Sequence, residues 1–279
     1  MARLEPTVQS GGLLKLYQAL WAPYYQAVLN VLGSTGVILP IGDPHHGQPN
    51  ATTFTTKGEE QLTFTWSEAP SAFDTALDLT SPDSFQGIVP VVTLNGTDEE
   101  ADSPDATYWS RGDGSNDFPM SLGLWAYLVD PTSSSFLSKY GAGGSQEYIA
   151  HLNGADKLQF IARDGSAALE VNRLSDAAVS ADVWHHIVLT YDGTGGATAM
   201  DGATWYLDGA AVASTATNNG GYVAMENTGQ AVELGDRTNG SFFDGKMAGG
   251  PLGPFFAQVE LTADQVRALY DLGRAALAL

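Results

Sequence analysis

Glu100, Asp102 and Asp105 stand at a spacing that invites comparison with the paired carboxylates of a retaining glycosidase. Such a pair needs its two groups about 5–5.5 Å apart on one face of a strand. Here they lie in TDEEADSPDA, beside Pro104 and without flanking apolar alternation, so the expectation is a solvated acidic loop and no catalysis. A second acidic run, Asp113-Gly-Ser115-Asn-Asp117, places oxygens at alternate positions as calcium ligands in loops do. With Asp98, Asp113 and Asp117 are the candidate calcium ligands; Glu99 and Asp236 are other loop-borne carboxylates. The run does not continue into a full EF-hand loop. Clustered Asp is also what a strongly acidic chain produces without any metal.

Four aromatic residues in loop-like contexts, Trp109, Tyr148, Tyr222 and Phe242, have Asn116, Gln146, Asn219 and Asn239 near them. A ring platform with amide and hydroxyl partners is how sugars are held, so these four are the glycan-binding candidates. Arg111-Gly112-Asp113 is an integrin-type tripeptide that its own turn-forming composition accounts for. His45 and His46 are adjacent, as are His185 and His186; on a strand such neighbours point to opposite faces. Neither His185 nor His186 has a serine or acid placed in sequence to suggest a triad. Ring packing with one satisfied N–H is the expectation for both. No phosphate-binding loop or dinucleotide fingerprint is present.

The chain as a whole limits the partners. It has 279 residues, with 32 Asp and Glu against 12 Lys and Arg, a formal net charge of −20. No local basic cluster offsets this, so nucleic acid is excluded. The absence of cysteine removes disulfides, thiolate nucleophiles and Cys-type zinc sites. The N-terminus lacks the basic, apolar and small-residue order of a secretory signal. Leu13 to Leu32, the most apolar stretch, is interrupted by Lys15, Gln18, Pro23, Gln26 and Asn30. A spanning helix needs about 20 predominantly apolar residues, so no membrane span is expected.

Three zones must position these residues. In residues 1–33, Leu13, Leu16, Tyr17, Leu20, Trp21, Tyr24 and Val28 recur at helical spacing, with Pro23 kinking or splitting the helix. This apolar face either caps the C-terminal domain or docks on a neighbouring subunit, and its residues are the assembly-interface candidates. Residues 34–86 mix short β-like runs with breakers, as an extended arm or a small β subdomain would. Residues 87–279 are densely β. Asp164-Gly165 and Asp208-Gly209 each separate strand-like runs, as two-residue type I′ hairpin turns do. Many short strands without long intervening helices indicate an antiparallel sandwich or jelly roll. A final helix opens with the capping box Thr262–Gln265 and a staple of Leu261 and Val266, and it buries Val266, Leu269, Tyr270 and Leu277.

The order GIVPVVTLNGTDEEADSPDA, FPMSLGLWAYL, FLSKYG, WHHIVLTYDG, TWYLDGAAV and FDGKMAGGPLGPFFAQVELTADQVRALYDLGR resembles the laminin-G-like, or concanavalin-A-like, jelly-roll domain. The resemblance covers about Gly87 to Gly273. It implies a mostly β, two-sheet sandwich with Trp125, Trp184 and Tyr191 packed between the sheets. The ending GGPLGPFFAQVELT also resembles laminin-G-like domains of predicted bacteriophage virion proteins. The resemblance, with the helical N-terminus and the missing export signal, implies a non-enzymatic virion protein. The expected role is a capsid surface or decoration component, homo-oligomeric and bound through its arm to the major capsid or another virion protein. The alternative is a carbohydrate-binding adhesion module that recognises a host-surface glycan. No cofactor is expected apart from calcium.

Overall fold

The computed structural model describes residues 10–43, 52–68, 72–74, 89–238 and 240–277. Two antiparallel sheets face each other. The first contains β1 (Gly36–Ile38), β3 (Lys57–Gly58), β5 (Ala72–Asp74), β6 (Val91–Asn95), β8 (Met120–Asp130), β13 (Trp184–Tyr191), β14 (Ala203–Leu207), β15 (Ala210–Ala211), β18 (Asp244–Ala248) and β19 (Phe255–Ala257). The second contains β2 (Thr53–Thr55), β4 (Thr63–Trp66), β7 (Ala101–Ser103), β9 (Ser135–Tyr140), β10 (Gln146–Leu152), β11 (Lys157–Asp164), β12 (Leu169–Ala178), β16 (Ser214–Thr217) and β17 (Val232–Leu234). This is the mostly β jelly-roll sandwich. Segments from the stretch expected as an arm or subdomain lie within it: β1 pairs with β19, and β4 pairs with β7.

Period-two patterning shows why the sheets stack. In β4, Phe64 and Trp66 are buried while Thr63 and Thr65 are exposed. The central strand β8 is apolar on both faces because both are covered. Leu122, Leu124, Ala126 and Leu128 enter the core between the sheets, whereas Trp125 turns outward beneath the helices.

Helix α1 (Ser10–Leu32) runs through Pro23 as one element rather than splitting there. It lays Trp21, Tyr25, Val28 and Leu32 on the first sheet, a stripe at four-, three- and four-residue spacing. Helix α2 (Ala263–Leu277) packs on the same cluster. Its start is the expected capping box: Gln265 N donates to Thr262 Oγ1 at 3.3 Å and Thr262 N to Gln265 Oε1 at 2.9 Å. Gln265 Nε2 also donates to Val31 O at 2.9 Å, tying α2 to the end of α1. Leu261, Val266 and Leu269 are buried and Tyr270 partly so, while the Leu277 side chain lies outside the described residues. No described helix is long and apolar enough to cross a membrane.

Two expectations about packing need correction. Tyr191 does lie between the sheets, but Trp125 and Trp184 belong to the helix-side cluster. Trp125 stacks on Tyr270 with centroids 5.6 Å apart, because one residue of strand phase separates the two faces. The two Asp-Gly turns also differ. Asp208 and Gly209 have φ of 53° and 76°, the type I′ geometry. At Asp164 the loop is longer, and positive φ falls on Ala168 instead. The Asp164 side chain organises that loop by accepting from Ser166 Oγ and Ala167 N, each at 2.9 Å.

Candidate functional site

An open groove of about 660 Å³ lies at one end of the sandwich, where three distant segments meet. Glu60 and Leu62 come from the β3–β4 connection, Thr107 to Pro119 from the β7–β8 connection, and Gln258 follows β19. Phe118 presents an exposed ring, and Glu60 and Thr107 are also exposed. Arg111 is anchored behind them: its Nε donates to Ser110 O at 2.7 Å and its guanidinium lies 6.0 Å from the Phe118 ring centroid. Burial lowers its pKa, offset in part by Tyr148, Tyr108 and Glu147. Gln258 Nε2 donates to Tyr108 O at 2.8 Å, so its carbonyl end is not held by that bond. The groove combines an aromatic face with carboxylate, guanidinium, amide and hydroxyl groups, the mixture that can hold a polyhydroxylated ligand.

A second cluster occupies the outer face of the second sheet. Val232 and Leu234 of β17 point into the core, so Glu233 points out; on β7 the same phase turns Asp102 out beside it. Carboxylate oxygens of Glu100, Asp102 and Glu233 lie within 4.8 Å of one another, and these three could hold a metal ion. Glu100 has its pKa pushed up to about 8, first by burial and then by Asp102, Asp236 and Glu233. Burial and Asp236 raise Asp102, and burial is the main upward cause for Glu233. Glu233 Oε2 accepts from Thr238 N at 2.7 Å and Ser138 Oγ at 3.2 Å. The expected solvated loop is therefore a strand between β17 and β4, and its acids are partly buried. Glu100 Oε2 and Asp102 Oδ1 are closed off from solvent without a hydrogen-bond partner, a poor arrangement for meeting a sugar. Asp105 is elsewhere, 3.0 Å from the buried Lys139 Nζ.

The calcium candidates do not converge. Asp117 is buried, with Oδ2 accepting from the hydroxyls of Tyr191 at 2.6 Å and Tyr222 at 2.9 Å, while Oδ1 accepts from Met225 N at 2.7 Å. Both of its oxygens are committed to closing the core. Asp113 is exposed and caps its own turn through Ser115 N and Asn116 N, bonds that lower its pKa. Asp98 is exposed and accepts from Asn95 Nδ2 at 2.8 Å.

Three of the four glycan candidates are also core residues. Trp109 and Tyr148 are fully buried and Tyr222 nearly so. Trp109 meets Phe64, Tyr108 and Phe256 edge-on, and Tyr148 Oη donates to Trp109 O at 2.9 Å. Phe242 alone is partly exposed, and it lies outside the groove. The tripeptide at Arg111 is no display loop, since Arg111 is buried. His45 and His46 lie outside the described residues. His186 packs against Trp125 and Tyr270, and burial lowers its pKa to about 3. His185 departs from expectation, with a serine and an aspartate as partners: Ser180 Oγ is 2.9 Å from Nε2 and Asp208 Oδ2 is 2.9 Å from Nδ1.

Of the assembly candidates, Trp21 and Val28 are buried within the chain itself and Tyr24 is partly buried against the same cluster. The side chains of Leu13, Leu16, Tyr17 and Leu20 lie outside the described residues. Sequence reasoning missed Tyr25, whose hydroxyl donates to Asp43 Oδ2 at 2.7 Å. It also missed the groove residues Glu60, Phe118 and Gln258, which lie far apart in the chain and meet only on folding.

A family model described as the concanavalin A-like lectin/glucanases superfamily matches residues 95–249. That is more than half of the chain. The chain belongs to this superfamily. A search of curated proteins returned no match. Among solved structures, the botulinum neurotoxin serotype G binding domain is 11% identical with a TM-score of 0.54, covering 86% of this chain and 51% of its own. The binding domain of Paraclostridial mosquitocidal protein 1 is 9% identical with a TM-score of 0.54, covering 85% and 51%. Botulinum neurotoxin type C, in a structure concerned with its interaction with two ganglioside molecules, is 9% identical with a TM-score of 0.53, covering 88% and 52%. The chain thus spans about half the length of these solved structures, and the likeness is one of fold.

Proposed function

We propose that this protein is a lectin-like carbohydrate-binding module whose ligand lies in the groove between Glu60, Phe118 and Gln258. The observation that carries the reading is the convergence there of an exposed ring with four kinds of polar group. The ring would stack on a sugar face, while Glu60 and the Gln258 carbonyl accept from hydroxyls and Thr107 both donates and accepts. The ganglioside context of one fold neighbour supports a glycan as the ligand class by analogy of fold only. The test is a glycan array probed with the full chain, Phe118→Ala and Glu60→Gln. Binding that is lost in Phe118→Ala and weakened in Glu60→Gln supports the groove; signals unchanged in both variants overturn it.

The setting we propose for this module is the surface of a virion. The support is the resemblance of residues 249–262 to phage virion domains. Trp21 and Val28 are buried against the chain's own sheet, so attachment to the particle would rest on other residues. Detection of this chain by mass spectrometry in purified particles of the source culture tests the setting, and its absence from them contradicts it.

A further inference from the structure

The contacts of His185 form a chain with a direction. The loop between β12 and β13 carries Ser180, β13 carries His185, and the β14–β15 turn carries Asp208. Asp208 accepts at Oδ2 from the His185 Nδ1–H, which leaves Nε2 as the acceptor for the Ser180 hydroxyl, each at 2.9 Å. Asp208 is itself fixed: its Oδ1 accepts from His186 N at 2.9 Å and its N–H donates to His186 O at 2.8 Å. Burial pushes its pKa up, but the hydrogen bonds from His185 and His186 N outweigh this and hold it low. His185 is 7% exposed, whereas Ser180 is exposed. An ionised acid, a buried imidazole of one tautomer and an accessible hydroxyl therefore stand in order.

We propose that Ser180, His185 and Asp208 form a nucleophile–base–acid relay that transfers short acyl groups from esters to water. Ser180 Oγ attacks the acyl carbon as His185 Nε2 takes the hydroxyl proton. The tetrahedral adduct collapses, the ester C–O bond breaks, and Nε2 returns the proton to the departing alcohol oxygen. Water attacks the acyl-serine by the same route, releasing the carboxylic acid and restoring Ser180. Asp208 is a positioning residue that holds the imidazole and stabilises its charged form. The inference is independent of the groove and of any glycan bound there.

The experiment uses the full chain with a fluorophosphonate probe and p-nitrophenyl acetate. The expected results are probe attached to Ser180, and a hydrolysis rate that falls at least 10-fold in Ser180→Ala. Ser180 is an exposed loop residue, and a thermal unfolding midpoint matching the parent's checks that this variant keeps the fold. Asp208→Asn keeps an acceptor for His186 N and should also slow hydrolysis at least 10-fold. The loss should fall in kcat with KM unchanged, because Asp208 acts on the imidazole and touches no substrate. Probe found only at other residues, or a Ser180→Ala rate equal to the parent's, overturns the relay. An Asp208→Asn variant as fast as the parent, or one whose loss falls in KM, overturns the role of Asp208. A hairpin clamp without chemistry would produce those negative results.

Discussion

Glu100→Gln should make the protein more stable at high pH, the reverse of the usual outcome for losing a native charge. The carboxyl is half-buried among Asp102, Asp236 and Glu233, and its pKa is pushed from 4.5 up to about 8. The folded chain therefore holds this proton more tightly than the unfolded one. Stability from this group is full below pH 4.5 and drains away as pH rises towards 8. At ~1.4 kcal/mol per pH unit the ceiling is roughly 5 kcal/mol, and solvent screening of a half-exposed group reduces it to about 1–2 kcal/mol. Glutamine mimics the protonated form at every pH. Urea unfolding followed by tryptophan fluorescence, with a chelator present, should give matching midpoints for parent and variant near pH 4. At pH 9 the variant should lead by about 1–2 kcal/mol. A variant no more stable than the parent at pH 9 would refute the placement of Glu100 beside three other carboxylates.

Asp117→Ala strands the Tyr191 and Tyr222 hydroxyls and Met225 N, so thermal unfolding should show a loss of about 3 kcal/mol or more. Gly273→Ala brings a Cβ to 2.1 Å from Trp125 Nε1 on a helix packed against the sheet, and chemical denaturation should register about 1–3 kcal/mol of overpacking. Trp21→Ala should cost about 3 kcal/mol of the chain's own stability with its solution mass by light scattering unchanged; a fall in mass at unchanged stability would return Trp21 to an intersubunit role.

The features legible in the sequence are those decided locally. The Thr262–Gln265 cap and the Asp208-Gly209 turn depend on neighbours within a few residues, and both form as read. Asp164-Gly165 carries the same dipeptide, but the loop's length decides its geometry. Burial of Tyr148 follows from the register of β10, and that of Trp109 and Tyr222 from loops folded onto the core, neither of which a spacing of Asn and aromatic residues encodes. The three-residue strand β7 was hidden for the same reason: its pairing partners β17 and β4 lie far away in the chain, and Pro104 beside it reads as a breaker. The groove joins segments as distant as Glu60 and Gln258, so its composition exists only after folding. The partnership of His185 with Asp208 was within reach. In the antiparallel hairpin Ile187 pairs with Leu207, which sets Asp208 opposite His186 and next to His185.

Mapping a bound glycan by backbone amide shift perturbation, using the strongest array hit, tests the central claim most directly. The account predicts shifts that centre on residues 58–62, 106–119 and 258 and vanish in Phe118→Ala. Shifts centred on Asp102, Ser138 and Glu233 of the second sheet, with the groove silent, would contradict it.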